Sequence, residues 1–455
     1  MTMRVVNSTT GEVVETFETI AAEEVENRIN AAVGAQELWR QRDIGERAGL
    51  LREAAKLLET GKSGHAVLMA KEMGKPIRDG RAEIEKCAWL CRHYAEEAAA
   101  MLKPEMVSTD AHKSYVTFSP LGVVLGVMPW NYPFCQVFRF AVPALTAGNA
   151  ALLKHASNVP GCAMAIDALM KKAGFPMAIF QSVLITSEQV QAVIEHRSVS
   201  AAALTGSLKA GQAVAAAAGK QIKKTVLELG GSDPYLVLAD ADLDLTVAEC
   251  AAGRLLNSGQ SCIAAKRFIV EEAVRADFEK QLTQKLSAVR MGDPLDEKSE
   301  IGPLAGSRFR DELHRQVRDS IDKGARCLLG GEIPQGRGFF YPPTVLTDVR
   351  PGMPAFDEET FGPVAAIVPA ADEAEAIRLA NGTDFGLGAA VFTRDIVRGE
   401  RIAAEKLQAG NCFVNTFVKS DPRLPFGGIK RSGYGRELSH YGIKAFVNIK
   451  TVYVA

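Results

Sequence analysis

The chain has 455 residues, of which 47% are hydrophobic and 24% charged, with a formal net charge of −1. This composition is that of a globular protein with two or three domains. The near balance of 53 basic and 54 acidic residues gives no strongly basic surface, so nucleic acid is not an expected partner. No apolar run reaches the roughly 20 residues of a membrane span, and the N-terminus lacks a signal-peptide core. We therefore expect a cytoplasmic protein without a membrane partner.

The eight cysteines and seven histidines are scattered through the sequence. Eight cysteines in a chain of this length do not make a disulfide framework. The sequence lacks Cys-x-x-Cys and His-Glu-x-x-His, so we predict no metal site.

The first part of the chain is predicted to be mostly helical. Apolar residues near helical spacing predict helices over residues 21–40 and 43–60 and a third helix through Lys71. Gly74 and Pro76 break this pattern, and Pro76 suits the first turn of a long helix that ends near Leu102.

Strands and helices alternate from residue 112 onward. A strand over 113–118 and a turn at 119–122 precede an apolar strand over 123–128. Further strands are predicted at 150–154, 179–186, 199–205, 221–229, 235–238, 268–270, 327–329, 364–368, 389–392 and 445–454, and helices at 134–145, 160–172, 187–195 and 206–217. This alternation predicts an α/β fold with parallel sheets covered on both faces.

Cys262 lies in a short polar loop between an apolar helical run and an apolar strand. Such a loop can present a thiolate to a ligand, and nearby backbone N–H groups can lower the pKa of the thiol. A buried structural cysteine is the local alternative. Glu228 stands inside the apolar run 226–229, where burial favours a raised pKa and suits a general base. A salt-bridged glutamate at a strand end fits the local pattern equally well.

Asn131 follows the strand that ends near Met128, and a side-chain amide in this position can donate to an oxyanion. Eight residues later, Arg139 interrupts an apolar helix and needs an anionic partner. That partner is either a carboxylate of the protein or one of a substrate.

Two loops after predicted strands suit a nucleotide. Gly206 and Ser207 open a helix, whose N-terminus can bind phosphate, although an ordinary strand-to-helix turn has the same pattern. Lys154 and Ser157 follow another strand, and this loop contains no carboxylate to repel a 2′-phosphate. The loop therefore favours NADP, or use of both cofactors, over strict NAD, unless it is only an exposed loop.

The motifs together resemble the aldehyde dehydrogenase superfamily, and the resemblance spans nearly the whole chain. Five segments stand in the order of that family: 129–133 (PWNYP), 227–231 (LELGG), 259–262 (GQSC), 359–363 (ETFGP) and 425–428 (PFGG). The resemblance implies a Rossmann-like cofactor domain (1–113 and 127–227), an α/β catalytic domain (228–425), a β oligomerisation flap (114–126 and 438–455) and a return segment (426–437). It also implies a homodimer or homotetramer.

The resemblance also implies roles for individual residues. Cys262 becomes the nucleophile, Glu228 the base that activates water, and Asn131 an oxyanion donor beside the Cys262 N–H. The implied cofactor-binding residues are Trp130, Lys154, Ser157, Gly206, Ser207, Leu229, Glu359 and Phe361. Glu228 argues against the CoA-acylating branch. Some relatives have a second cysteine two residues after the nucleophile, but position 264 is alanine, so no local disulfide is expected.

The substrate expected from the resemblance is succinate semialdehyde. Residues 131–140 and 420–426 resemble the short bacterial succinate-semialdehyde dehydrogenases, which implies that Arg139 and Ser420 bind the distal carboxylate. The expected cofactor is NADP, with NAD as the alternative. Other hypotheses are oxidation of another small aldehyde with a structural Arg139, a cysteine hydrolase or acyltransferase, and a non-catalytic binding protein. A hydrolase needs a histidine partner, and no histidine lies near Cys262 in sequence.

Overall fold

Two large, mostly parallel sheets with helices packed around them form the body of the protein. The computed structural model describes residues 2–455. The strands are β1 (Thr2–Val6), β2 (Val13–Glu18), β3 (Glu105–Met106), β4 (Lys113–Pro120), β5 (Val123–Met128), β6 (Ala150–His155), β7 (Phe180–Ser182), β8 (Val199–Thr205), β9 (Lys224–Glu228), β10 (Pro234–Val237), β11 (Arg267–Glu271), β12 (Arg326–Leu329), β13 (Thr344–Thr347), β14 (Val364–Ala370), β15 (Gly388–Phe392), β16 (Asn411–Val414), β17 (Gly433–Tyr434) and β18 (Val447–Val454). The helices are α1 (Ala22–Trp39), α2 (Ile44–Met73), α3 (Ile77–Met101), α4 (Cys135–Thr146), α5 (Pro160–Lys172), α6 (Val190–Glu195), α7 (Leu208–Lys220), α8 (Leu243–Leu255), α9 (Glu272–Ser287), α10 (Ser307–Asp322), α11 (Pro354–Asp357), α12 (Glu373–Asn381), α13 (Ile396–Arg401) and α14 (Ser439–Ile443).

The first large sheet has six strands in the order β17-β9-β8-β5-β6-β7, and only β17 runs antiparallel. The second has seven strands in the order β12-β13-β14-β11-β10-β15-β16, and only β12 is antiparallel. The inner strands are buried apolar runs, as expected for parallel sheets with covered faces. The predicted α/β class is therefore confirmed.

Two smaller sheets complete the fold. Strands β18, β4 and β3 form an antiparallel sheet, and β1 pairs with β2 as a hairpin. The expected flap bounds 114–126 differ from this arrangement. Strand β5 pairs with β6 and β8 inside the six-stranded sheet, because its continuous apolar sequence suits burial on both faces.

Among the helices that were predicted with bounds, α2 differs most from its prediction, whereas no bounds were predicted for the helices after α7. The two helices predicted between Asp43 and Lys71 are a single helix, which continues through Gly61 and Gly64. Its packing along α3 outweighs the low helical propensity of those glycines. The Asp43 side chain caps its first turn by accepting from the Gly45 N–H, and Gly74 ends it with a positive φ of 75°.

Short strands were the hardest elements to predict. Strands β1, β2, β3, β13, β16 and β17 were missed, and β7 is shorter than its predicted run. Each missed strand has at most six residues, so its pattern is weak without the neighbouring strand. Of the helices formed by residues 2–455, none combines the length and the apolar character needed to cross a membrane.

Candidate active site

The predicted catalytic residues come together where the two large sheets meet. Glu228 is the last residue of β9 in the six-stranded sheet, whereas Cys262 lies in the turn that precedes β11 in the seven-stranded sheet. Asn131 follows β5, which is two strands away from β9. The carboxyl ends of parallel strands are where such sheets bind ligands.

The sulfur of Cys262 faces the carboxylate of Glu228. The thiol donates to Glu228 Oε2 over 3.7 Å, and the exposed fractions of the two residues are 9% and 1%. Burial raises the pKa of Glu228 to about 8, and the charge of Arg139 opposes this increase. Burial, followed by the charge of Glu228, also raises the pKa of the Cys262 thiol. The geometry therefore places a proton acceptor beside a thiol that needs one.

The backbone before Cys262 is strained. Asn257, Ser258 and Gly259 have φ values of 55°, 56° and 77°, three successive residues in the left-handed region. A β-carbon at Gly259 would collide with the carbonyl oxygen of Gly362, so only glycine fits there. We call residues 257–262 the nucleophile loop. Its strained conformation persists because buried hydrogen bonds over-determine it.

Buried side chains supply those hydrogen bonds to the nucleophile loop. Asn257 Nδ2 donates to the Asn131 carbonyl over 2.8 Å, and the Gln260 side chain accepts from the Ala305 N–H over 2.9 Å. Arg254 donates to the Gly259 carbonyl over 2.8 Å. Lys266 Nζ donates to the carbonyls of Ser261 and Cys262 over 3.0 and 2.6 Å.

The amide of Asn131 lies in the same cluster, since its Nδ2 donates to the Gln260 carbonyl over 3.1 Å. Helix α4, which follows Asn131, is positioned by Glu83 of α3. One oxygen of Glu83 accepts from the N–H groups of Phe134 and Cys135, each over 2.8 Å. Its other oxygen forms a fully buried ion pair with Lys75. A carboxylate at the start of a helix also suits the helix dipole.

Arg139 is buried on α4 and forms an ion pair with Glu437. Its guanidinium also stacks over the Phe426 ring, 4.2 Å from the centroid. The charges of Glu437 and Glu228 together raise the pKa of Arg139 against the effect of burial. A carboxylate of the protein thus already partners the arginine that was predicted to bind the substrate. Ser420, the other predicted substrate residue, accepts from Lys86 Nζ over 2.6 Å.

The nucleotide slot is the cleft beside Lys154, between α6 and α7. It has a volume of about 220 Å³ and is lined mainly by apolar side chains, including Leu204 and Val214. Lys154 and Glu188 are shared with an adjoining cavity of about 330 Å³ that also contains Ser157. Burial lowers the pKa of Lys154, and Glu188 partly offsets this effect. An apolar slot joined to a polar cavity fits an adenine with its ribose and phosphate.

Gly206 and Ser207 lie at the start of α7, beside this slot. The Ser207 side chain caps the helix by accepting from the Ala210 N–H over 3.4 Å, and the Gly206 N–H donates to the Glu228 carbonyl over 3.0 Å. Leu229 is buried against Gly211 of α7, where a β-carbon would lie 2.6 Å from a Leu229 methyl group. These contacts place the helix N-terminus close to the strand that carries Glu228.

Glu359 approaches the backbone of the Gly-Gly turn that follows Leu229. It accepts from the Gly231 N–H over 3.0 Å and lies 3.7 Å from Lys266 Nζ. A β-carbon at Gly230 would collide with its carboxylate. The ring of Phe361 meets Trp130 edge to face at 5.7 Å, and the ring of Phe309 packs against the same indole at 4.6 Å. These aromatic rings form one wall beside the site.

Several functional contacts could not be found from local sequence. Glu83, Glu437, Lys266 and Lys86 occur in ordinary helix or loop patterns, and no motif marked them. Lys86 and Ser420 are separated by 334 positions, and Glu83 and Phe134 by 51. The available signal was a charged residue within an otherwise buried helix face, which indicates only that some partner exists.

The chain is similar to known proteins over nearly its whole length. The profile described as "Aldehyde dehydrogenase family" matches residues 1–452. The chain is 46% identical to the succinate semialdehyde dehydrogenase [NAD(P)+] Sad of Escherichia coli, covering 98% of this chain and 97% of the relative. It is 47% identical to a probable succinate-semialdehyde dehydrogenase [NADP(+)] of Synechocystis over the full length of both.

A solved structure of a relative has the same fold as this chain. The crystal structure of succinic semialdehyde dehydrogenase from Streptococcus pyogenes, in complex with NADP+ as the cofactor, superposes with a TM-score of 0.97. Its sequence is 35% identical to this chain, and the match covers 99% of each. A profile match over nearly the whole chain, with relatives of this identity, shows that the chain belongs to the aldehyde dehydrogenase family.

Proposed function

We propose that this protein oxidises succinate semialdehyde to succinate and prefers NADP to NAD. The activity rests on one observation, the buried 3.7 Å contact between the Cys262 thiol and the Glu228 carboxylate. The named substrates of the E. coli and Synechocystis relatives support the choice of aldehyde.

The first chemical step uses the three residues grouped around the nucleophile loop. Glu228 accepts the proton of the Cys262 thiol, and the resulting thiolate attacks the aldehyde carbon to form a thiohemiacetal. The negative charge moves to the former carbonyl oxygen. The Asn131 amide and the Cys262 N–H bind this oxyanion, and preorganised donors of this kind are among the largest contributions to catalysis.

The cofactor belongs on the side of the nucleotide slot. Lys154, Ser157 and the N-terminus of α7 would hold its adenosine and phosphates, and Glu359 and Phe361 its nicotinamide end. When bound, the nicotinamide would accept a hydride from the thiohemiacetal carbon, which leaves a thioester on Cys262. The buried Lys154 ammonium supports this assignment, since no carboxylate of residues 2–455 lies within ion-pairing distance of it.

The last step regenerates the thiol. Glu228 first releases to solvent the proton that it took from Cys262. It then takes a proton from water, the hydroxide attacks the thioester carbon, and the carbon–sulfur bond breaks to release the carboxylic acid product. The sulfur leaves as a thiolate, which regains a proton. The raised pKa of Glu228 suits this alternation, because the group can both accept and return a proton near neutral pH.

The preference for NADP rests on the loop after β6. Ser157 is small, exposed and uncharged, so it leaves room for a 2′-phosphate near the Lys154 ammonium. Glu188 approaches the same cavity from a different loop and weakens the positive potential there. For this reason we propose a preference for NADP together with use of NAD.

We also propose a homodimer or homotetramer assembled through the sheet of β18, β4 and β3. Strand β18 is an edge strand of eight residues, and Ile449 and Tyr453 on it are 60% and 54% exposed. A long edge strand with exposed apolar residues is a pairing surface. A cytoplasmic location is part of the proposal, since all eight cysteines are free thiols, as is usual in a reducing compartment.

The test of the proposed function is formation of reduced cofactor by the purified protein. We expect absorbance of NADPH to appear only when succinate semialdehyde is added, and to vanish in Cys262→Ala. Cys327→Ala, which removes an exposed thiol outside the site, should match the parent. Turnover by Cys262→Ala at the parent rate would contradict the mechanism, and a preference for uncharged aldehydes would contradict the substrate.

A further inference from the structure

Lys86 is a second cation, besides Arg139, that could bind a carboxylate of the substrate. Lys86 lies on α3, and its ammonium donates to the hydroxyl of Ser420 over 2.6 Å. Among residues 2–455, no carboxylate is within ion-pairing distance of this ammonium. Burial lowers the pKa of Lys86, and the positive charge of Arg139 lowers it further. The two cations are thus neighbours.

The carboxylates next to Lys86 on α3 and next to Ser420 are engaged by other cations. These pairs are Glu83 with Lys75, Glu85 with Lys62, and Asp421 with Arg423. Asp421 is the one most able to reach Lys86, yet the Arg423 guanidinium holds both of its oxygens, over 2.9 and 2.6 Å. A half-buried ammonium without a counter-ion is costly, and an incoming anion would remove that cost.

The position of Lys86 connects it to the reacting groups. Arg139 is close enough to the nucleophile that its charge lowers the pKa of Cys262 and of Glu228. The geometry agrees, because Glu83 of α3 accepts from the Cys135 N–H at the start of α4, and Lys86 lies one turn after Glu83 as Arg139 lies one turn after Cys135. The Ser420 hydroxyl accepts from Lys86 and keeps its own proton available for a further acceptor. Lys86 and Ser420 thus lie beside the helix that carries Arg139, whose charge acts on both reacting groups.

We infer that the Lys86 ammonium, with the Ser420 hydroxyl, binds the distal carboxylate of the substrate and selects for dicarboxylic semialdehydes. The inference rests on the proposed function, since it names the group that recognises the second carboxylate. Arg139 has its charge balanced by Glu437, so it contributes less net attraction than Lys86 does. Lys86 is thereby a substrate-binding residue outside the sequence motifs.

The experiment compares two aldehydes of four carbons, succinate semialdehyde and butanal, in four proteins. Lys86→Met removes the charge and keeps the length of the side chain, whereas Lys86→Arg retains a cation. We expect Lys86→Met to raise KM for succinate semialdehyde roughly 10- to 100-fold, as loss of a charged hydrogen bond predicts. Its KM for butanal and its kcat should stay within about twofold, and Lys86→Arg should recover part of the loss.

Lys62→Met is the matched control. Lys62 carries the same charge on the neighbouring helix α2, but it pairs with the exposed Glu85. It should change neither KM by more than about twofold, since surface ion pairs contribute little. If Lys86→Met does not fold, Ser420→Ala gives a second measurement, with an expected increase of roughly 3- to 10-fold in KM for succinate semialdehyde only.

The outcomes separate the two proposals. A parent protein that favours succinate semialdehyde over butanal, together with a Lys86→Met protein that keeps this preference, would overturn the role of Lys86 alone. Equal increases in KM for both aldehydes would overturn it as well. A parent protein without any preference would overturn the proposed substrate, and the role of Lys86 with it.

Discussion

The nucleophile loop and the nucleotide slot are built in opposite ways. The loop is buried, has three successive residues at positive φ and is held by hydrogen bonds of the Asn257, Gln260 and Lys266 side chains. The slot and the polar cavity that adjoins it present exposed side chains, Glu188 in both and Ser157 in the cavity. The difference indicates that the position of the sulfur is over-determined. In the proposed function, by contrast, the choice of cofactor depends on exposed side chains that can be exchanged without disturbing the core.

The largest expected loss of activity follows from changing Glu228, whose carboxylate faces Cys262 of the nucleophile loop. Glu228→Gln should lower the steady-state rate about 100- to 10,000-fold, the usual contribution of a general base. A base acts only when ionised, so the parent rate should increase with pH as the Glu228 carboxyl, with its pKa raised to about 8, loses its proton. The pH dependence of kcat measures this increase, which forms a rising limb of the profile near pH 8.

The Gln variant serves as the control for that assignment, because its side chain does not ionise. Its profile should lack the limb near pH 8. Retention of the same limb in Glu228→Gln would assign the titration to another group and contradict the role of Glu228 as base.

A smaller loss is expected from a single methyl group in the nucleophile loop. Gly259→Ala combines a positive φ of 77° with a collision against the Gly362 carbonyl, so the loop must shift. A displacement of about 1 Å at a nucleophile costs on the order of 100-fold in kcat/KM. Rates and apparent Tm should be measured together.

Gly324→Ala is the matched control for strain. Its φ is 105°, but no atom lies within 4 Å of an added β-carbon. It should reduce the free energy of unfolding by about 1–2 kcal/mol and leave kcat/KM unchanged. Similar losses of activity in both variants would show that the close contact at Gly259 is not what positions Cys262.

The smallest effect is expected in the nucleotide slot. Ser157→Glu should lower kcat/KM for NADP roughly tenfold, because a carboxylate repels the 2′-phosphate, and should leave the value for NAD within about threefold. Ser287→Glu adds the same charge at an exposed position of α9 and should change neither value. Parallel losses for both cofactors would contradict the assignment of Ser157 to the 2′ position.

These regions also differ in how well sequence predicts them. The family motifs selected Cys262, Glu228 and Asn131 because each lies in a short segment whose residue types fit one chemistry, and the structure brings these segments together. The continuous apolar strands likewise predicted the parallel sheets, and the α/β class is confirmed.

What the sequence could not supply is the set of long-range partners. Glu83 binds the start of α4 from the preceding helix, and Lys86 meets Ser420 across 334 positions. Contacts of charged side chains across such separations depend on how the helices pack, which no local pattern encodes. The same limit explains Arg139, for which the sequence left two kinds of partner open and the structure shows Glu437.

The antiparallel strand β17 has a consequence for synthesis of the chain. Gly433 pairs with Glu228, the hydroxyl of Ser432 donates to the Gly230 carbonyl over 2.7 Å, and Glu437 balances Arg139. All three residues leave the ribosome after the nucleophile and the base. A nascent polypeptide therefore lacks these three contacts beside Glu228 and Arg139 until its final segment has been made and has docked.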